Sequence, residues 1–464
     1  MEYFSLPYLT TGLVCLLGGV VSSWRSGQPR KPAVLAAAIA FVSFLGAARE
    51  VIAAGGGRLF DPLLRWLDAD GLDAVPMAFY AALTLMVVVL APKRDAGGPA
   101  MAGMLMISLS TQTAYAAAGW IPLVSGWWLS CLPFILGMFG GQQSNKRAIA
   151  LLIASCVALT AAFVLMQADT SSHVSQGGEL TFWLIILAVM CRKGVFPLHS
   201  GVVQAFEKGP LLPVALLFNG HLGVLLVAHS EAAGLPQSAR HAFDVLSVVA
   251  VASAFIISIR AFAETKPRRL LALLYISQAS FILAGIAAAN AAGITGSLIH
   301  WLALSAASVG LVSIVRVLEV RVSSAENPMM HLGLAVKAPR LATFFLLCGL
   351  ALIGLPGTLS YCGEELIFHG TLANHPAVGI ALLVTSAFNA INLIRLYSIL
   401  FLGVLPKHVI EIPDALPRER WPLTACVVFL VFGGLFPSII IGWRAETVQA
   451  IVKCLVIADG ADQQ

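Results

Sequence analysis

Charge is what this sequence has least of. Lys and Arg number 28 and Asp and Glu 23 among 464 residues, 11% in all, against about 25% for a soluble globular chain. With a net charge of only +5, neither a disordered polyelectrolyte nor a nucleic-acid-binding protein is expected. Cysteine is sparse as well. Cys15, Cys131, Cys156, Cys191, Cys348, Cys362, Cys426 and Cys454 stand singly, with no CxxC and no Cys/His cluster. That spacing excludes a disulfide framework, a zinc site and an iron–sulfur site. No GxGxxG falls in a strand–turn–helix context, so a dinucleotide site is not expected either. The chain should carry no cofactor and no catalytic site of its own; any enzymatic role would be that of a translocase subunit. No basic leader precedes the first apolar run, so a cleavable signal peptide is not expected.

What is abundant is apolar sequence, 59% of the chain. A spanning helix needs about 20 mostly apolar residues. About fourteen such segments can be read: Tyr3–Trp24, Pro32–Ala54, Pro76–Pro92, Met101–Gly119, Ile121–Gly140, Arg147–Met166, Leu180–Ala205, Leu212–His229, Ala242–Phe262, Leu270–Asn290, Ile294–Glu319, Leu341–Phe368, Ala377–Gly403 and Trp421–Trp443. The expected fold is an all-α polytopic membrane protein, multi-pass in the cell inner (plasma) membrane. Of the 28 basic residues, 19 lie in or beside the loops after odd-numbered segments and only Arg58, Arg65 and Arg240 in the even loops. Because Lys and Arg are held on the cytoplasmic side, both termini should face away from the cytoplasm.

Two segments are interrupted in a similar way. Gly194 and Pro197 break the seventh, and Gly354, Pro356 and Gly357 break the twelfth. Proline removes a backbone donor, and the carbonyls it frees survive at membrane depth only against protein or water. Five helices separate the breaks, which suggests two five-helix repeats, helices four to eight (101–230) and nine to thirteen (241–405), flanked by helices one to three (1–100) and a last helix with its tail (421–464). Matching breaks in two halves point to an ion or substrate path, although ordinary proline kinks account for the spacing equally well. Charge sharpens the reading, since an ionisable group at the bilayer centre costs at least about 2.5 kcal/mol. Arg192 and Lys193 precede the first break; Glu364 and Glu365 follow the second. His199, His221, His300 and Arg395 are further candidates for burial, with Glu365 and His369 nearer the interface.

Three blocks carry a family resemblance. Gly194-Val-Phe-Pro-Leu-His-Ser200 with Ala205-Phe-Glu-Lys-Gly-Pro-Leu-Leu-Pro-Val-Ala-Leu-Leu217 resembles "PLHxWLPDAxxGPTPVSALLH". Lys266-Pro-Arg-Arg-Leu-Leu-Ala-Leu-Leu-Tyr-Ile-Ser-Gln278 resembles "DIKRLLAYSTISQ", and Leu350-Ala-Leu-Ile-Gly-Leu-Pro-Gly357 with Glu364-Glu365 resembles "LALAGIPPLSGFFSKDE". Over roughly residues 100–405 the chain is thus similar to the antiporter-like membrane subunits of respiratory complex I (NADH-quinone oxidoreductase), Mrp cation antiporters, membrane hydrogenases and DAB-type inorganic carbon transporters. The resemblance implies fourteen helices, inverted repeats and a proton path along a central polar axis. Carried over by position, the seventh-helix lysine falls on Arg192, the twelfth-helix Lys or Glu on Glu364 and the eleventh-helix histidine on His300. The eighth-helix histidine falls on Asn219, with His221 two residues on, and a later eleventh-helix lysine on Ser308. The fifth-helix glutamate aligns with Gly126-Trp127-Trp128, so that carboxylate is missing.

Arg192 cannot release its proton, whereas a buried lysine can, so Lys193 is the alternative exchanger provided the break turns it to the axis. The function expected is a proton-conducting subunit that couples ion movement to a partner. That partner is either a redox assembly or an inorganic-carbon pump with a soluble, cytoplasmic, carbonic-anhydrase-like zinc protein. The alternative is a non-conducting structural subunit, with Arg192 and Glu364 a retained ion pair and Trp128 filling the lost carboxylate site. With so little sequence after Trp443, a compact block without a lateral helix is expected.

Overall fold

A computed structural model describes residues 2–139, 145–169, 177–232, 237–322, 333–374, 376–404, 412–444, 447–449 and 452. Lys407, Lys453, Cys454 and the end of the tail lie outside the described residues. The chain forms α1 (Tyr8–Arg25), α2 (Arg30–Ala53), α3 (Ala74–Leu90), α4 (Gly98–Tyr115), α5 (Trp120–Ile135), α6 (Lys146–Asp169), α7 (Gly177–Lys193), α8 (Ser200–Lys208) and α9 (Leu211–Asn219). It continues through α10 (Leu222–Ala232), α11 (Gln237–Phe262), α12 (Pro267–Ala287), α13 (Ala291–Val322), α14 (Pro339–Leu352), α15 (Leu359–Asn374), α16 (Pro376–Phe401) and α17 (Pro417–Leu435). Proline stands in the first two positions of α4, α12, α14 and α17, where its missing N–H has no intrahelical partner to lose.

The molecule is a mostly helical, multi-pass membrane protein. Among the described residues, seven stretches are each long and apolar enough to cross a bilayer, or eight with the last bent pair. They differ in what surrounds them. The most apolar window of Leu211–His229, of α12 and of α13 is entirely buried, against 33% for those of α6 and α16. The first three are therefore the centre of the protein, while α6 and α16 present apolar side chains on the outside of the bundle. With water absent, such a core can hold polar groups only if they satisfy one another.

Three features depart from the sequence reading. The eighth segment, expected as one helix over Leu212–His229, divides at Gly220–His221, with His221 in the left-handed region at φ +45°. No proline announces this break. Tertiary donors hold it open: Tyr80 donates to the Leu216 carbonyl (3.0 Å), Tyr275 to that of Phe218 (2.7 Å) and Tyr115 to that of Gly220. The last segment, expected as one helix over Trp421–Trp443, bends by 86° between α17 and Pro437–Arg444. Pro437 ends the first part, and the return brings Arg444 into the molecule, where it donates to the carbonyls of Gly71 (2.9 Å) and Leu72 (3.2 Å). Finally, the fold is not wholly helical. Two-residue strands β1 (Glu2–Tyr3), β2 (Leu59–Phe60) and β3 (Asp68–Ala69) form one small sheet, β1 parallel to β2 and β2 antiparallel to β3.

At the opposite end from that sheet, ion pairs tie the helices together. Arg316 forks onto Asp95 (2.6 Å to each oxygen), and Arg268 forks onto Glu319 (2.5 and 2.6 Å). Such bidentate pairs fix the relative position of α12, α13 and the turn after α3.

Candidate functional site

The two sequence breaks have the same backbone geometry. After α7, Gly194 takes φ +71° and the Val195 N–H reaches back to the Met190 carbonyl (3.1 Å). After α14, Gly354 takes φ +69° and the Leu355 N–H reaches back to the Leu350 carbonyl (3.0 Å). This is the six-to-one closure of a helix by a left-handed C′ residue, which glycine adopts without a Cβ clash. In both, the next backbone-to-backbone bond runs three residues back, Leu198 to Val195 (2.8 Å) and Thr358 to Leu355 (3.0 Å), before a new helix starts; in the first, the Phe196 N–H between them donates to Ser253 Oγ (2.8 Å). Pro197, in a cis peptide with Phe196, lies inside the first break; Pro356 and Gly357, at φ +90°, lie inside the second.

At the first break, Arg192 and Lys193 are both 2% exposed. They are separated by one helical step, and they go to different partners. Arg192 points to α5, where Nη2 donates to Ser130 Oγ (2.7 Å), Nη1 to Cys131 Sγ (3.3 Å), and the guanidinium lies 4.7 Å from the centre of the Trp127 ring. Cys131 Sγ is in turn 3.8 Å from Cys156 Sγ, both free thiols. Lys193, last in α7, instead sits with its Nζ 2.6 Å from His221 Nδ1 and donating to the Phe218 carbonyl at 3.3 Å. The break in the eighth segment makes this contact, because it turns His221 and a free carbonyl toward α7. His221 Nε2 is enclosed with no hydrogen-bond partner, and its ring lies 5.7 Å from that of Trp301.

At the second break, Glu364 stands on the first turns of α15. Its Oε2 accepts from Ser386 on α16 (3.1 Å), and its Oε1 is enclosed without a partner. A side chain on Gly354 would meet this carboxylate at 2.7 Å, so the break glycine makes room for the acid. Gln278 Nε2, also enclosed and without a partner, is close enough to the carboxyl to influence its charge. The other end of that amide, Oε1, meets His300 Nε2 at 3.1 Å, and His300 Nδ1 meets Ser360 at 3.2 Å. Gly363 lets α15 approach here: a Cβ would lie 2.9 Å from the His300 backbone nitrogen. Between the two groups, Asn219 accepts from Ser308 (2.6 Å). Asn219 and Ser308, the positions of the eighth-helix histidine and the later lysine, are thus bonded to each other.

The structure therefore places Arg192, Lys193, His221, His300 and Glu364 in the interior, with Lys193–His221 as one contact and Glu364, Gln278, His300 and Ser360 as another group. It does not join the ends. Among the described residues, neither Arg192 nor Glu364 forms a salt bridge, so the Arg192–Glu364 ion pair that went with the non-conducting alternative is absent: each is held by uncharged groups on its own side. The residue at the lost carboxylate is also corrected. Trp127 packs under Arg192, whereas Trp128 donates to Thr160 (2.9 Å) on α6. The remaining candidates have local partners. His199 meets Arg260 (2.7 Å), Arg395 donates to the carbonyls of Ala261 (3.0 Å) and Glu264 (3.2 Å) after α11, and His369 meets the Glu365 carbonyl (2.8 Å). Ser130, Cys131, Gln278, Ser360 and Ser386 were not singled out beforehand; within apolar helices, small polar residues are too common for their spacing to mark them.

Residues 129–389 match the family model described as NADH:quinone oxidoreductase/Mrp antiporter, TM. The chain is 24% identical over 429 residues to an NAD(P)H-quinone oxidoreductase chain 4 2 of Synechococcus sp. (strain JA-2-3B'a(2-13)), covering 84% of this chain and 79% of that protein. Its fold is similar to that of a chain of respiratory complex I from Thermus thermophilus with bound NADH, with a TM-score of 0.80, 21% identity and coverage of 96% and 99%. It is likewise similar to a chain of the Mrp complex from Dietzia sp. DQ12-45-1b, with a TM-score of 0.79, 17% identity and the same coverage.

Proposed function

The chain belongs to the NADH:quinone oxidoreductase/Mrp antiporter family of membrane subunits, and from that premise we propose that it conducts protons and couples their movement to a partner protein. One observation carries this reading: two identically broken helices deliver a lysine beside a histidine and a carboxylic acid beside a Gln–His pair to the same buried core. In the proposal Lys193 is the exchanging base, Arg192 a fixed positive charge, His221 and His300 intermediate carriers, and Glu364 the exchanging acid. Lysine suits the role because it has a neutral form to exchange through, which arginine does not reach in a protein. The proposal also takes α7 with α8, α9 with α10, and α14 with α15 as broken single spans. That gives fourteen crossings, with helices four to eight and nine to thirteen as inverted repeats and both termini on the non-cytoplasmic side.

The partner belongs to the same proposal. The similarity to quinone oxidoreductase chains supports a membrane assembly with redox subunits; an inorganic-carbon pump with a carbonic-anhydrase-like zinc protein is the other partner considered. Copurification from the native membrane, with zinc and haem or flavin assayed in the product, distinguishes them. A second reading, a structural subunit that does not conduct, draws on the position where relatives of this type carry a glutamate: here Arg192 meets Trp127, Ser130 and Cys131 and no acid. The test is proton flux through the purified chain in liposomes under a potassium diffusion potential. Glu364→Gln keeps the shape and removes the charge, and flux should vanish while the protein still inserts. No flux in the unmodified chain favours the structural reading, and full flux in the Gln variant removes Glu364 from the path.

A further inference from the structure

An open groove of about 1010 Å³ runs along the outside of the bundle between α2, α3 and α17. Its walls include Phe41, Leu45, Phe79, Met86 and Phe429, with Leu302 and Ala306 of α13 as the floor. On α3 the lining runs from Val75 to Val89, about 21 Å at 1.5 Å per residue, which is most of a hydrocarbon core about 30 Å thick. Tryptophans mark both ends. Trp421 is 77% exposed at one end and Trp443 is 43% exposed at the other, as expected of side chains at the two membrane interfaces.

The Trp421 end is electrically unusual. Arg418 lines it, and Arg30 at the start of α2 lies near enough to feel its positive charge. Arg30 gives one nitrogen to the Ala91 carbonyl, and the Nε of each arginine is enclosed without a partner. Among the described residues, the acid that pairs with Arg418 is Glu419, at 3.8 Å, and it is already committed. Glu419 takes both oxygens to Arg321 (2.7 and 2.6 Å) and caps the Leu416 N–H (2.9 Å). Arg418 is therefore held at the mouth of an apolar channel, and Arg30, anchored at the Ala91 carbonyl two residues beyond the lining Val89, stands beside that mouth. Guanidinium presents paired donors that match the oxygens of a phosphate. The mouth also lies on the side where the basic loops gather, which in a membrane is the leaflet carrying the negative surface potential.

The geometry points to a bound anionic phospholipid, its acyl chains along α2, α3 and α17 and its phosphate bridging Arg30 and Arg418. The apolar walls alone would accept any lipid; the arginine pair selects a headgroup with net negative charge.

The test is native mass spectrometry of the full chain, purified in mild detergent, delipidated and offered equal amounts of phosphatidylglycerol and phosphatidylcholine. One phosphatidylglycerol should be retained at least tenfold over phosphatidylcholine, and Arg30→Gln with Arg418→Gln should bring the two to parity without lowering phosphatidylcholine binding. Equal retention by the unmodified chain, or an unchanged preference in the double variant, overturns the site. If that variant does not fold, Ala425→Trp fills the groove and leaves both arginines in place. It must then lose the bound phosphatidylglycerol, and retention overturns the proposal. Failure of the unmodified chain to take up phosphatidylglycerol overturns it as well, and would mean that the groove is covered by protein, either the chain's own C-terminal segment or a partner helix. Millimolar inorganic phosphate should not displace the lipid; displacement would show that the acyl chains contribute nothing and would also overturn it.

Discussion

The two helix breaks share a backbone and differ in charge. At the first, two cations stand side by side with no acid; at the second, a single acid stands with no cation. Had burial alone shaped the core, the opposite charges would be paired, since an isolated buried charge costs several kcal/mol. Instead each is surrounded by groups that take or give hydrogen bonds without bearing charge. Arg192 has a hydroxyl, a thiol and an aromatic face; Lys193 has an imidazole and a carbonyl; Glu364 has one hydroxyl and an oxygen with no partner. Of the three, arginine alone is obliged to stay charged, and of the two basic residues Lys193 is the one with an imidazole nitrogen at 2.6 Å. Under the proposed function, neighbouring residues on one helix would carry two different physical tasks.

Exchange of the two basic residues is the widest test of that division. Lys193→Arg keeps the charge but removes the neutral form, and proton flux in liposomes is expected to fall at least 100-fold, about 2.7 kcal/mol in barrier. Arg192→Lys should stay within about threefold, because a fixed positive charge survives the change. If Lys193→Arg conducts normally and Arg192→Lys does not, the roles are reversed; normal flux in both removes this helix from the path.

Restoring an acid to the first half is a second test. Cys131→Asp would put a carboxylate where Arg192 now meets a thiol at 3.3 Å. In a double-mutant cycle with Arg192→Leu, read by thermal unfolding in detergent, the coupling should reach about 2 kcal/mol in favour of the Asp–Arg pair. A coupling near zero would mean that Arg192 is free to turn elsewhere.

Much of this was legible in the sequence, and most of what was not depends on the assembled fold. Gly194 and Gly354 are local signals, because a left-handed helix terminus nearly demands glycine. Arg192, Lys193 and Glu364 are conspicuous because charge is rare at membrane depth. The break at His221 carries only the weak local signal of Asn219-Gly220, with no proline. Its backbone is held by Tyr80, Tyr115 and Tyr275, which come from α3, α4 and α12, so only the assembled fold reveals it. The choice between Trp127 and Trp128 failed for a similar reason: a helix turns about 100° per residue, and adjacent tryptophans face different neighbours. Pro437 was a visible signal that was passed over, since the apolar run continues on either side of it.

The break glycines test the comparison at the level of backbone. Alanine at either Gly194 or Gly354 must hold a φ near +70°, a strain of about 1–2 kcal/mol, readable as a lower unfolding temperature. The consequences for flux should differ. At Gly194 the new methyl meets a Val202 methyl at 2.6 Å, and no ionisable group is displaced. At Gly354 it meets the Glu364 carboxylate at 2.7 Å and must move it from Ser386. Flux is expected to drop about tenfold in Gly354→Ala, about 1.4 kcal/mol, and to remain near normal in Gly194→Ala. Equal flux in the two variants would mean that the position of Glu364 is not critical.

The smallest effects separate the hydroxyls that serve the two charges. Ser386 is the hydrogen-bond donor seen on Glu364, whereas Ser130 shares Arg192 with Cys131 and Trp127. A hydrogen bond to a charged group contributes about 1.5–3 kcal/mol, less when other partners remain. Ser386→Ala should therefore make the ionised form of Glu364 harder to reach and move the pH of half-maximal flux upward, because a carboxylate that loses a donor holds its proton more tightly. Ser130→Ala removes a donor's partner from a group that does not titrate. It should lower stability by under about 1 kcal/mol and leave the pH profile where it was. A profile that moves in Ser130→Ala and not in Ser386→Ala would place the titrating step in the first half of the molecule, and the contrast between its two breaks would have to be read the other way round.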